Sequence, residues 1–276
     1  MRTNSAVGTY NYNSRKHAPR SITQGGSTQN LTYDANGNMT RGLGGKNIVY
    51  DGENRITQVT HNGRVTRYQY GANGHRLKKI ERAGTANETV TAYFGLVEIR
   101  NWGEGASEVV IGYPTDSIRL VNGNPGYLHA DQNGNVRMVS DTSGNRDKRT
   151  IYRPFGDDQD WVYDTSVPDE SKGFVGERED EDSGLVYLNA RYLDPELGLF
   201  IQSDWYDVVA PGVGTNRYAY ASNDPINKAD PSGNAWVDRA FESVFGEGSF
   251  DRTFGDGASE AVDRFADSVF GNSSDR

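Results

Sequence analysis

Chemistry at neutral pH needs nucleophiles, acid–base groups or metal ligands, and this chain supplies mainly carboxylates. It holds 38 Asp and Glu, four His and no Cys. Without cysteine there are no disulfides, thiolate zinc sites or cysteine nucleophiles. His17, His61 and His75 fall in or beside turn-rich segments, so no Ser-His-Asp set suggests itself. His129 and Asp131 share one strand face, but two ligands are too few, and neither a metal nor a cofactor is expected. Gly42-Leu43-Gly44-Gly45 lacks the Lys-Ser/Thr of a phosphate loop. Carboxylates remain as the abundant titratable groups. An acidic run, Glu177-Arg178-Glu179-Asp180-Glu181-Asp182, reads on its own as an exposed, solvated ion-pair cluster. Asp194, Asp224 and Asp230 each precede a proline and read as turn punctuation.

The elements that position these groups are written as a repeat. Tyr33-Asp34-Ala35-Asn36-Gly37-Asn38, Tyr50-Asp51-Gly52-Glu53-Asn54-Arg55 and Tyr70-Gly71-Ala72-Asn73-Gly74-His75 align, with enough residues between them for two short strands and two turns. Asn-Gly pairs begin at Asn36, Asn62, Asn73, Asn122 and Asn133, and such pairs predict type I′ hairpin turns. In the segment after Asn62-Gly63, residues Thr66, Tyr68 and Tyr70 share one face by period two. Dense glycine and β-branched residues, with no lasting 3.6-residue stripe, exclude a helical reading. A lone hairpin cannot bury its tyrosine face, so the copies must stack or wind into a curved sheet. Leu, Ile, Val and Phe make up only about 19% of the chain, a level near that of disordered chains. The 33 glycines and 16 tyrosines account for the deficit, since turns consume glycine and tyrosine replaces leucine on the buried face.

The charge of −9 has no basic stripe, which argues against a nucleic-acid partner. No apolar run reaches the length of a membrane span, and the amino terminus lacks a secretion signal. From residue 234 the composition changes. Val237, Phe241, Val244 and Phe245 before Gly246, and Val262, Phe265, Val269 and Phe270 before Gly271, predict two short amphipathic helices. Forty-odd residues without histidine are too few for a catalytic domain, so this tail reads as docking or partner-binding sequence.

The Tyr-Asp units resemble the YD repeats of the RHS family. Tyr127 to Val136, running on to Pro154-Phe155-Gly156, is similar to a further hairpin of that family. Phe174-Val175-Gly176, Ala190-Arg191-Tyr192, Asp194-Pro195, Asp204, Asn216 to Tyr220, Asn223 to Asn227 and Asp230-Pro231-Ser232-Gly233 follow its repeat-associated core. The resemblance implies an all-β fold: antiparallel YD-repeat hairpins forming a curved sheet or partial β-shell, capped by the core, with a short α-helical tail. The implied division is 1–165 for the repeats, 166–233 for the core and 234–276 for the variable tail. In the family the segment after the core is often a toxin held within the shell, and several cores are aspartic self-proteases. That likeness makes Asp204 and Asp180 the candidate acids, Asp182 the alternative to Asp180, and Arg191 the group that orients a carboxylate or steadies an oxyanion. The expected scissile bond is Asn234–Ala235, with Asn at a position where the family has Leu.

Three readings stay open at this level. One is the structural, encapsulating end of an RHS-type polymorphic toxin or cell-surface protein, with upstream YD repeats of a longer chain and its own tail as partners. The others are a self-cleaving aspartic protease and a module binding cell-surface carbohydrate through exposed tyrosines. The family implies a secreted or cell-surface location.

Overall fold

A computed structural model describes residues 3–4, 7–12, 17–205 and 216–234. They form three antiparallel sheets, each strand pairing with its sequence neighbours. The first sheet has four strands, from Thr3–Asn4 to Ser27–Asn30; the main sheet has fourteen, from Thr32–Tyr33 to Asp158–Val162. The third sheet consists of Arg178–Asp180, Leu185–Leu188, Arg191–Asp194 and Leu199–Phe200. This is the all-β meander expected, and the main sheet does not close into a barrel. The helices expected in the tail, and Ala235, lie outside the described residues.

Why the repeat uses tyrosine is visible in its hydrogen bonds. The hydroxyls of Tyr33, Tyr50 and Tyr70 donate to the backbone carbonyls of Pro19 (3.1 Å), Met39 (2.8 Å) and Ile56 (2.8 Å). Each repeat tyrosine thus stitches its hairpin to the preceding one, and a Phe or Leu there would leave a carbonyl without its donor.

The turns divide into two kinds. At Asn62-Gly63 and Asn122-Gly123 both residues have positive φ, and His61 pairs with Arg64 and Val121 with Asn124, so these are the two-residue turns expected. At Asn36-Gly37, Asn73-Gly74 and Asn133-Gly134 only the glycine has positive φ, which corrects the type I′ expectation. There the loop is wider, with the N–H of residue i on the carbonyl of i+4, as from Asp34 to Asn38 (2.9 Å) and Asp131 to Asn135 (3.0 Å). The aspartate side chain closes it from inside: Asp34 Oδ1 accepts the Asn38 N–H at 2.8 Å, and Asp51 Oδ1 accepts that of Arg55 at 2.9 Å. The Asp of Tyr-Asp is a loop clasp.

The third sheet is buried on both faces, since every residue of Leu185–Leu188 and Arg191–Asp194 is buried. Leu185, Tyr187 and Tyr192 join a cluster with Tyr10, Met39, Ile56 and Tyr68. Val186, Leu188 and Leu193, on the alternate face, pack with Phe174, Phe200 and Tyr220, against Tyr152 and Phe155. Further ties reach the first sheet and two loops of the main sheet. Tyr10 Oη donates to the Leu197 carbonyl (2.6 Å), Tyr218 Oη to that of Gly37 (2.8 Å), and Asn133 Nδ2 to that of Ile226 (2.9 Å). The core segment therefore fastens the first hairpins to the last, and holds its own buried polar groups in fixed positions.

Candidate active site

Arg191 leaves the third sheet as the hub of a buried charge cluster. Its Nη2 lies 2.8 Å from Asp204 Oδ2 and 3.5 Å from Asp230 Oδ2. Its Nη1 donates to the Arg217 carbonyl at 3.0 Å, and its Nε to the Gly233 carbonyl. The guanidinium sits 3.7 Å over the Phe200 ring. Arg191, Asp204, Asp230 and Asn234 are all at least 95% buried. Burial pushes the Asp230 carboxyl up, and the Asp204 charge adds to this, while Arg191 and the Ser232 hydroxyl pull it back. Burial also lowers the Arg191 guanidinium, against the pull of Asp230 and Asp204. Burial, with the Asp204 charge beside the same guanidinium, makes Asp230 the member that favours keeping a proton. That is the arrangement acid–base catalysis needs.

The turn 230–234 brings the backbone to this cluster. Asp230 Oδ1 accepts the Asn234 N–H and the Ser232 hydroxyl, both at 3.1 Å. Ala190 N donates to the Ser232 carbonyl at 3.1 Å, and Asn189 Nδ2 to the Pro231 carbonyl at 3.1 Å, pinning the turn to the third sheet. Gly233 has φ +73°, and a Cβ there would overlap the Leu188 carbonyl, so both conformation and space demand glycine. Asn234 Oδ1 accepts the indole N–H of Trp205 at 3.1 Å, while its Nδ2 is buried without a hydrogen-bond partner among the described residues. A cavity of about 560 Å³ adjoins the site, bordered by Arg191, Trp205, Asn234, Tyr70, His75 and Gln202.

Of the residues expected from sequence, Arg191, Asp204 and Asn234 come together. Asp180 and Asp182 take part in other contacts. Asp180 is 1% exposed and bonded to Arg76 Nη1 at 2.5 Å, with Lys79 Nζ 3.3 Å from its other oxygen. Burial raises its carboxyl, yet Arg76 and Lys79 outweigh burial and hold it below the usual range. Asp182 pairs with Arg64 Nη1 (2.5 Å) and Arg82 Nε (3.1 Å). Neither acid is the solvated surface charge that the acidic run suggested, because the Leu185–Leu188 hairpin presses both against cations of the main sheet. Asp230, which reads in the sequence as turn punctuation, joins the cluster through its 3.5 Å contact with Arg191; its position four residues before Asn234 was the available signal. Tyr68 is buried, so its ring is not an open sugar-stacking face, while Tyr70 is half-buried at the cavity with its hydroxyl on the Ile56 carbonyl and 3.0 Å from that of Tyr192.

The teneurin YD-shell family model matches residues 117–226, and the RHS repeat model matches residues 50–86. The chain belongs to the RHS/YD-repeat family. Among relatives of this RHS chain, the tRNA3(Ser)-specific nuclease WapA of Bacillus spizizenii is 31% identical over 222 residues, covering 76% of this chain and 9% of the relative. Toxin protein Tse5 of Pseudomonas aeruginosa is 34% identical over 112 residues, 39% of this chain and 8% of Tse5. The fold recurs in the crystal structure of TcdB2–TccC3, with TM-score 0.65 and 19% identity over 82% of this chain and 13% of that one. The RHS chain therefore spans about a tenth of the length of such relatives, and is related through them to polymorphic toxins.

Proposed function

We propose that this chain is the core-bearing portion of an RHS-type shell, and that the core cuts its own backbone between Asn234 and Ala235. In this reading residues 1–165 are shell wall, 166–233 are the core that ties the wall together, and 234–276 are the tail, of which 235–276 is released. Asp204 and Asp230 are the acid–base pair, Arg191 orients both, and Asp180 is an anchor between core and wall. One observation carries the reading. Two buried carboxylates meet on one guanidinium, whose Nε also holds the carbonyl immediately before Asn234. The neutral member of such a pair can protonate a departing amine, and the ionised member can accept a proton from the nucleophile. The open main sheet needs neighbouring repeats to enclose anything, so encapsulation belongs to the longer assembly, with the tail as cargo.

The test is a time course of the purified chain against Asp204→Asn. A fragment beginning at Ala235, formed by the parent chain and absent from the variant, is expected. Equal fragmentation in the variant would remove Asp204 from the chemistry.

A further inference from the structure

We propose that the nucleophile is the side-chain amide of Asn234 itself; this rests on the reading that the core cuts at Asn234–Ala235. Asn234 is 2% exposed, yet its Nδ2 has no hydrogen-bond partner among the described residues. A buried amide donor left unpaired is costly, and few persist without a use. The other end of the same amide is fixed, because Oδ1 accepts the Trp205 indole N–H at 3.1 Å. That bond sets which atom of the amide is free. It also stabilises negative charge on Oδ1 as Nδ2 gives up a proton, which makes the nitrogen a better nucleophile. The main chain is held as well, with the Asn234 N–H on Asp230 Oδ1 at 3.1 Å and the preceding carbonyl on Arg191 Nε. Nδ2 and the carbonyl carbon of one asparagine close a five-membered ring, so the two reactants come preassembled. The buried site does not have to admit and orient a water.

The step balances within the chain. Nδ2 attacks the Asn234 carbonyl carbon, forming the Nδ2–C bond, and the C–N bond to Ala235 breaks. The proton lost from Nδ2 ends on the ionised carboxylate of the Asp204–Asp230 pair; Nδ2 has no acceptor within hydrogen-bond reach among the described residues, so the side chain turns toward that carboxylate before the step. The departing Ala235 nitrogen takes a proton from the carboxyl. The shell fragment ends in a cyclic imide, the released fragment has an ordinary amino terminus, no water is consumed and nothing is oxidised or reduced. Asn234 is thereby a catalytic residue and Trp205 a positioning residue.

The experiment is mass spectrometry of the full chain as it cleaves, with and without hydroxylamine, beside Asn234→Leu and Trp205→Phe. A shell fragment lighter by one water than the hydrolysis product, and converted to a hydroxamate by hydroxylamine, is expected. Asn234→Leu should lose cleavage entirely. Trp205→Phe should slow it at least tenfold with an unchanged melting temperature, and should move the pH–rate profile to higher pH. The imide is read on the parent chain, so the test does not depend on either variant folding. A free carboxyl at the earliest time points, with Asn234→Leu still cutting at residue 234, overturns the inference and leaves self-cleavage standing with water as the nucleophile. No fragment at all from the parent chain overturns both.

Discussion

Replacing Arg76 with Met tests whether the buried ion cluster anchors the core to the wall. Arg76 and Asp180 each have 1% of the side chain exposed, and Arg76 stands over the rings of Tyr187 (4.4 Å) and Tyr93 (4.8 Å). Breaking one partner of a buried pair costs about 3–5 kcal/mol, because the other charge is left without its match. Lys79, 3.3 Å from Asp180, still covers part of that charge, so the loss should lie near ~3 kcal/mol. Adding Asp180→Asn to Arg76→Met should restore about 1–2 kcal/mol, since a neutral amide needs no cation. The coupling is read from a double-mutant cycle by urea denaturation. The sign with pH is fixed as well. A carboxyl whose folded value is lowered adds stability above its unfolded value and loses it as pH falls through the folded one. Arg76→Met removes the group that lowers it, so parent and variant should converge in acid. A loss below about 1 kcal/mol, or a strictly additive cycle, would refute the anchor.

Three further outcomes follow from the same contacts. Tyr50→Phe should cost about 1 kcal/mol by denaturation, because the Met39 carbonyl loses its 2.8 Å donor; no change would mean the tyrosine stitch is dispensable. Gly63→Ala, where a Cβ meets nothing within 4 Å, should cost only about 1 kcal/mol from its φ of +75°, whereas Gly233→Ala should abolish the Ala235 fragment through its overlap with Leu188. Burial, with the charges of Asp158 and Asp160, pushes the Glu179 carboxyl up to about 8, against the Phe174 N–H and Lys148. Its contribution is therefore full below the unfolded value and is lost as pH rises through about 8, a change of roughly 2–5 kcal/mol that thermal melts should record and Glu179→Gln should flatten.

Much of the wall was legible because its signals are local. Tyrosine spacing and Asn-Gly pairs fix hairpins without reference to the rest of the chain. The turn class was legible only in part, since Asn36-Gly37 and Asn62-Gly63 are the same dipeptide. Asp34, two residues upstream of Asn36, closes its wider loop with its side chain, yet Gly71 holds that place before Asn73-Gly74 and the loop there is equally wide, so the aspartate alone does not set the class. The active site was less legible because its contacts are long-range. Arg191 meets Asp230 across 39 positions, and nothing near Asp230-Pro231 announces a carboxylate with a guanidinium beside it. The acidic run misled for the same reason, as Asp180 finds Arg76 at a separation of 104. The likeness to the RHS core supplied Asp204, Arg191 and the proposed scissile bond; the fold supplied Asp230 as a second carboxyl on the Arg191 guanidinium.

In the proposed function Asp204 and Asp230 form the cutting pair while Asp180 anchors. The measurement that tests it most directly is release of the fragment beginning at Ala235 from folded Asp230→Asn and folded Asp180→Asn, side by side. Asp230→Asn should stay intact while Asp180→Asn cuts at close to the parent rate. Continued cutting in Asp230→Asn, with loss in Asp180→Asn, would contradict it.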